Sequence, residues 1–200
     1  GGEGLVESSE EAFSTTTTAS FGSTFYVGAV SESALTEAVT FSYDFGMDLS
    51  TSFTGEDSLD VAIIGGNANA TAVDAYMGGD GTDDVLTLDG VSYTFPLGGA
   101  TVIVGDGVGV DDLNTGACAY SAFTDLVSDC GANNVGGSAD SGFAIAYDFD
   151  NGFTLAGGAA GSTGTDGLFT EESADTLGVE AAYTADTYGV SVAYTDDEAT

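Results

Sequence analysis

Residues 39–59 read VTFSYDFGMDLSTSFTGEDSL, and their alternation decides the fold. Val39, Phe41, Tyr43, Phe45, Met47, Leu49, Thr51 and Phe53 occupy one parity, while Thr40, Ser42, Asp44, Gly46, Asp48, Ser50 and Ser52 occupy the other. Successive side chains of a strand point to opposite faces, so this run predicts one long strand with an apolar face and a polar face. It breaks at Thr54-Gly55-Glu56-Asp57, where glycine supplies the turn, and restarts at Leu59 as a second strand. Fifteen alternating residues, 39–53, exceed an ordinary soluble strand of about 5–6 more than twofold. A tilted membrane-spanning strand uses about 9–11, with the excess projecting into loops.

Outward from this run, the pattern repeats. On the N-terminal side, TTTTASFGSTFYVGAV (15–30) is a strand candidate with Phe21, Phe25 and Val27 on one parity. On the C-terminal side the partner strand covers 59–64, and a polar loop follows at 67–82. Residues 84–95 alternate again, Val91, Tyr93 and Phe95 opposite Ser92 and Thr94, with Pro96-Leu97-Gly98-Gly99 as the turn and 100–104 as the return. The connection 106–140 is long and rich in Gly, Asp and Asn, the mark of a functional or disordered loop. Phe143, Ile145, Tyr147 and Phe149 then lead to Asp150-Asn151-Gly152, and Asn-Gly between alternating runs is a strong hairpin signal. The chain returns through Phe153 and Leu155 into a Gly/Ala-rich strand, and a second polar loop spans 162–176. The last hairpin sets Val179, Ala181 and Tyr183 against Tyr188, Val190, Val192 and Tyr194 across Ala185-Asp186. The total is about nine strands with almost no helix. Short turns near Gly55, Gly98, Asn151 and Asp186 alternate with long loops, as in a membrane barrel. A soluble sandwich spaces its strands more evenly.

Composition narrows the function. The 200 residues suffice for one domain with a core, and they carry 33 acids, no Lys, no Arg and no His, for a net charge of −33. Gln and Trp are also absent, so six Asn hold all the side-chain nitrogen. Such a chain repels nucleic acid and anionic headgroups. The 42% apolar residues in alternating runs argue against disorder. Without His there is no Ser-His-Asp or Cys-His pair, and without Lys no Schiff base or phosphate-loop lysine. Paired carboxylates suffice for glycoside hydrolysis, but no Trp is present to stack on sugar. The chain therefore reads as not an enzyme. No apolar run reaches helix-spanning length. Residues 1–11 lack the basic start and apolar run of a signal peptide, so an exported protein read this way is mature or a fragment.

Two local constellations stand out. Cys118 and Cys130 lie within the long polar loop; two cysteines without His make a poor zinc site, and an oxidised loop staple is the stronger reading. Such a staple stabilises by roughly 3 kcal/mol, chiefly by restraining the unfolded loop, and a loop so pinned is a candidate constriction. Residues 78–86, GGDGTDDVL, match the calcium-binding nonapeptide of β-roll proteins, with Asp80, Asp83 and Asp84 as a weak Ca²⁺ candidate. Weaker echoes at 106–113 and 164–168 are not in tandem with it, and a Gly/Asp-rich turn is the plainer account. No other cofactor is expected.

FSTTTTASFGSTFYVGA (13–29), FSYDFGMDLSTSFTGEDSLDVAI (41–63), LDGVSYTFPLGGATVIVGDG (88–107) and FAIAYDFDNGFTLAGGAAG (143–161) carry a family resemblance. They resemble the barrel of cyanobacterial outer-membrane porins, the carbohydrate-porin-like group also called iron uptake porins. The turn 51–57 and the segment Tyr-Thr-Phe-Pro-Leu-Gly (93–98) are the most telling, and the similarity runs from about Phe13 to the end. The resemblance implies an all-β, antiparallel up-and-down transmembrane β-barrel, here about nine strands of a larger one, since the family's barrel has around sixteen. Members carry an N-terminal surface-layer-homology domain and a coiled helix that tether the barrel to peptidoglycan. Residues 1–14 are then a linker or the end of that helix, 15–200 are barrel, and the chain reads as an internal fragment. The implied setting is the bacterial outer membrane, with lipid as partner, a homotrimer as assembly, and peptidoglycan reached only through the missing domain.

If the apolar parity faces lipid, then Ser42, Asp44, Asp48, Ser50, Asp60, Asp89 and Glu180 line the pore, with Thr40 and Ser52. Carboxylates without basic partners favour cations; acids placed at the rim would only keep loops hydrated. The expected function is passive passage of small hydrophilic solutes and inorganic ions, with cations preferred. The alternative is a secreted acidic β-protein that binds calcium through its Asp/Gly loops; a soluble adhesive or surface-layer β-domain is a further rival.

Overall fold

The structure is a computed structural model and describes residues 16–29, 39–67, 81–115, 141–161, 168–169 and 174–198. The regular elements among them are all strands: β1 (Thr17–Gly28), β2 (Thr40–Thr51), β3 (Ser58–Gly66), β4 (Thr87–Leu97), β5 (Ala100–Asp106), β6 (Ser141–Asp148), β7 (Phe153–Gly161), β8 (Asp175–Thr184) and β9 (Gly189–Asp197). Spatial order follows chain order from β1 to β9, and β1–β2, β2–β3 and each neighbouring pair from β4 to β9 are antiparallel. This is the expected all-β, up-and-down sheet. Its strand order is linear and not closed into a barrel: β1 and β9 are the two ends. Two compact units divide the chain, Gly1–Asp89 and Gly90–Thr200.

In the first unit, β1 and β2 each run 12 residues. Their register pairs Phe21 with Met47, Phe25 with Tyr43 and Val27 with Phe41 on one face. The other face pairs Ser20 with Asp48, Thr24 with Asp44 and Tyr26 with Ser42. β3 extends both faces, Val61 and Ile63 joining Leu49 and Met47, and Asp60 joining Ser50. Because every pairing preserves parity, the alternation of β2 propagates to its neighbours. The β2–β3 turn is held by one atom: Asp57 Oδ1 accepts from Ser52 Oγ at 2.8 Å, Phe53 N at 2.9 Å, Thr54 N at 2.8 Å and Thr54 Oγ1 at 2.8 Å.

In the second unit, β4 and β5 meet at Gly98-Gly99, whose φ values of 59° and 90° fit the turn that matches strand twist. One face then carries Tyr93, Phe95, Val104, Phe143, Ile145, Tyr147, Leu155, Val179, Val192 and Tyr194. The opposite face carries Gly142, Ala144, Ala156, Gly158, Ala160, Gly178, Glu180 and Ala182.

Three boundaries differ from the sequence reading. β4 begins at Thr87 rather than residue 84, because Asp83 and Asp84 take left-handed φ of 54° and 63° in the preceding turn. Pro96 belongs to β4 opposite Thr101, so the glycines alone make the turn. β8 starts at Asp175, inside the stretch read as loop. The Asn151 hairpin also has a three-residue form: Asp150 and Gly152 are left-handed, and Phe149 N donates to Phe153 O at 3.0 Å.

Candidate solute-facing surface

In β6 and β8 the small and polar parity is buried and the apolar parity exposed, whereas both faces of β1 are exposed. Among the described residues the buried hydrophobic side chains are Val102, Val108, Val110, Ala144, Ala156, Ala159, Ala160 and Ala182, with no aromatic ring. Twenty-four large hydrophobic side chains of the described residues are exposed, between 37% at Phe143 and 76% at Val39, most of them on the apolar parity of the strands. Aromatic pairs cluster on this outer face: Phe25 with Phe41 at 6.0 Å, Tyr147 with Phe149 at 4.8 Å, and Phe153 with Tyr183 at 4.6 Å. Polar, charged and very small residues occupy the other face.

In the first unit that face is a hydrogen-bonded ladder without cations. Tyr26 Oη donates to Asp44 Oδ2 at 2.6 Å, and Ser20 Oγ to Asp48 Oδ2 at 3.2 Å. Ser58 Oγ donates to Asp60 Oδ2 at 2.8 Å and lies 3.1 Å from Ser50 Oγ. Four of the expected pore-lining residues, Asp44, Asp48, Ser50 and Asp60, thus share one surface. Ser42 shares that parity but is buried, and its hydroxyl has no hydrogen-bond partner. With no Lys, Arg or His in the chain, the donors given above to Asp44, Asp48 and Asp60 are hydroxyls.

Asp89 is exposed near the start of β4, and the β4–β5 register begins two residues later at Val91.

Glu180 lies on the expected face but is 2% exposed. It is covered by the beginning of the long connection, residues 107–115, which folds back as a strap. Val108 and Val110 are buried at 1% and 2%. A Cβ on Gly158 would lie 3.0 Å from Val110 Cα, and one on Gly142 would lie 2.4 Å from Val108 O, so the strap backbone touches the sheet where side chains are missing. At its far end Thr115 N donates to Glu180 Oε2 at 2.7 Å. A tight turn shapes the segment between, with Asn114 N donating to Asp111 O at 2.8 Å and Gly109 N to Asp112 Oδ2 at 3.2 Å. Partial burial raises the Asp112 pKa above the ordinary carboxylate value; the Gly109 N–H opposes the shift and the Asp111 charge adds to it.

The remaining sites divide. Cys118, Cys130 and Asp80 lie outside the described residues. Asp83 and Asp84 are exposed, and Asp84 Oδ1 accepts from Tyr43 Oη at 2.7 Å. Among the described residues no three His, Cys, Asp or Glu side chains converge as a metal site. The strap was missed by sequence reasoning, although Val108 and Val110, alternating with glycine inside a polar loop, were a signal. Compared with known proteins, the chain matches no family model, no curated protein and no solved structure.

Proposed function

We propose that this chain is part of an outer-membrane β-barrel porin through which small hydrophilic solutes and inorganic ions, cations preferentially, pass by diffusion without a chemical step. The observation that carries this reading is the exposed apolar parity of the strands. Among the described residues twenty-four large apolar side chains are exposed, while the opposite face of the second unit is small, polar or covered by the chain's own strap. Full burial of such a side chain stabilises by about 1.5–3 kcal/mol, which a face left in water forgoes. Hydrocarbon offsets that deficit, and strands with apolar outer faces are how sheets meet it. The resemblance to cyanobacterial porins supports the same reading, and through it the outer membrane, a trimer, and a peptidoglycan tether supplied by an N-terminal domain.

Within that reading Asp44, Asp48 and Asp60 raise the local cation concentration along the polar face, and their hydroxyl partners hold them in place as ions pass. The test is folding. Far-ultraviolet circular dichroism should show β-structure in detergent or lipid vesicles and little in plain buffer. A folded monomer in buffer overturns the reading, and folding in buffer only with Ca²⁺ would establish the secreted calcium-binding alternative.

A further inference from the structure

The apolar face of the first unit is not flat. Register lines up Ser23, Phe45 and Gly65 across β1, β2 and β3, so the Phe45 ring stands between two small residues. One row further along, Phe25 faces Tyr43, with ring centroids 6.4 Å apart. The segment before β4 closes the far side, where a Cβ on Gly65 would lie 3.1 Å from Leu86 Cδ2. Asp84 is set there by its left-handed backbone and by its N–H, which donates to Gly66 O at 3.0 Å. Together these residues line a cleft of about 350 Å³.

The cleft pairs aromatic surface with one negative charge. Phe25, Tyr43, Phe45 and Leu86 supply the apolar walls, and the exposed Asp84 carboxylate stands at the edge. Tyr43 Oη donates to Asp84 Oδ1 at 2.7 Å, which holds the carboxylate beside the Tyr43 ring. No basic side chain exists anywhere in the chain to neutralise it. Aromatic faces attract a cation within about 6 Å of the ring centroid, and quaternary ammonium groups are the characteristic guests of such sites. The Asp84 charge adds to that attraction and repels anions. Position in the fold supplies the rest of the ligand. Tyr43 and Gly65 lie toward the ends of β2 and β3 remote from the 52–57 turn, and Met47, Leu49, Val61 and Ile63 continue the same face toward that turn.

We infer that this cleft binds the quaternary ammonium head of a membrane lipid. Its methyl groups lie against Phe25, Tyr43 and Phe45, its charge faces Asp84, and its acyl chain runs along the apolar face toward Met47 and Ile63. The inference deepens the porin reading, which puts this face in lipid, and rests on it. A lipid with a net negative head is disfavoured by the same carboxylate, and one without a head gains nothing from it.

The experiment is native mass spectrometry of the full chain released from an uncharged detergent. Phosphatidylcholine, phosphatidylglycerol or diacylglycerol with identical acyl chains is added at equal concentration, and lipid adducts are counted. Phosphatidylcholine adducts should exceed the other two about fivefold. Asp84→Asn should bring them down to the phosphatidylglycerol level, and Asp186→Asn, which removes an exposed acid at the β8–β9 turn, should not. Phe25→Leu keeps apolar surface but loses the aromatic face, and should lower phosphatidylcholine adducts about threefold with little effect on diacylglycerol. Equal binding of the three lipids overturns the inference, as does a phosphatidylcholine preference that survives both Asp84→Asn and Phe25→Leu, or one lost equally in Asp186→Asn. Circular dichroism of the same protein separates this inference from the reading beneath it. β-structure in buffer without detergent or lipid overturns the porin reading, and the adduct ratios still decide the cleft.

Discussion

Val110 occupies the space that Gly178 leaves open, such that a Cβ on Gly178 would lie 2.8 Å from Val110 Cγ2 and 2.9 Å from Val110 Cβ. A methyl group there has nowhere to go unless the strap lifts. Gly178→Ala should destabilise by about 1–3 kcal/mol through overpacking and raise amide exchange over 108–115. Thermal unfolding in detergent and exchange mass spectrometry measure the two effects, and an unchanged strap would refute the packing.

The apolar outer face gives a second prediction. Val192 on β9 is 70% exposed, so Val192→Arg removes little packing. In water that change would be close to neutral. At the midplane of a bilayer a basic residue costs about 2–4 kcal/mol. The yield of lipid-inserted protein, compared with wild type in vesicles, should fall clearly; full insertion would count against lipid contact at this position.

The β2–β3 turn depends on Asp57, whose Oδ1 accepts four hydrogen bonds from Ser52, Phe53 and Thr54. Asp57→Ala leaves these donors without their acceptor and should cost about 2–3 kcal/mol. Asp57→Asn keeps an oxygen but not the charge and should fall between. Equilibrium unfolding in detergent with both variants checks the order, and equal losses would contradict it.

Strap protection should depend on pH. The Asp112 pKa is raised in the folded chain, chiefly by partial burial. In the window from the ordinary carboxylate value up to that raised value, the folded state binds more protons than the unfolded one. Its contribution is therefore most favourable at the acid end and declines as pH rises through the window. Amide exchange over 108–115 should slow on acidification beyond its intrinsic pH dependence. Asp112→Asn should remove that part of the effect.

How much of this was legible follows from what carries information. A period of two carried over twelve residues identified β1 and β2, and paired glycines identified their own turn at Gly98-Gly99. The exposed apolar parity and the polar ladder of Asp44, Asp48 and Asp60 also followed from alternation, because register conserves parity from strand to strand. The strap did not. Its contacts depend on what Gly142, Gly158 and Gly178 lack, and absent side chains leave no periodic signal. Glu180 likewise read as one more exposed carboxylate, since its donor lies 65 residues away at Thr115. Asp84 looked like the start of β4, and only its left-handed backbone, shared with Asp83, removes it from the strand.

The most direct test of the account is the reversal potential of the full-length protein in a planar bilayer under a KCl gradient. The account predicts stepwise conductance with a clear cation preference, weakening as ionic strength rises and screens the carboxylates. Well-folded, lipid-inserted protein that shows no conductance steps would contradict it.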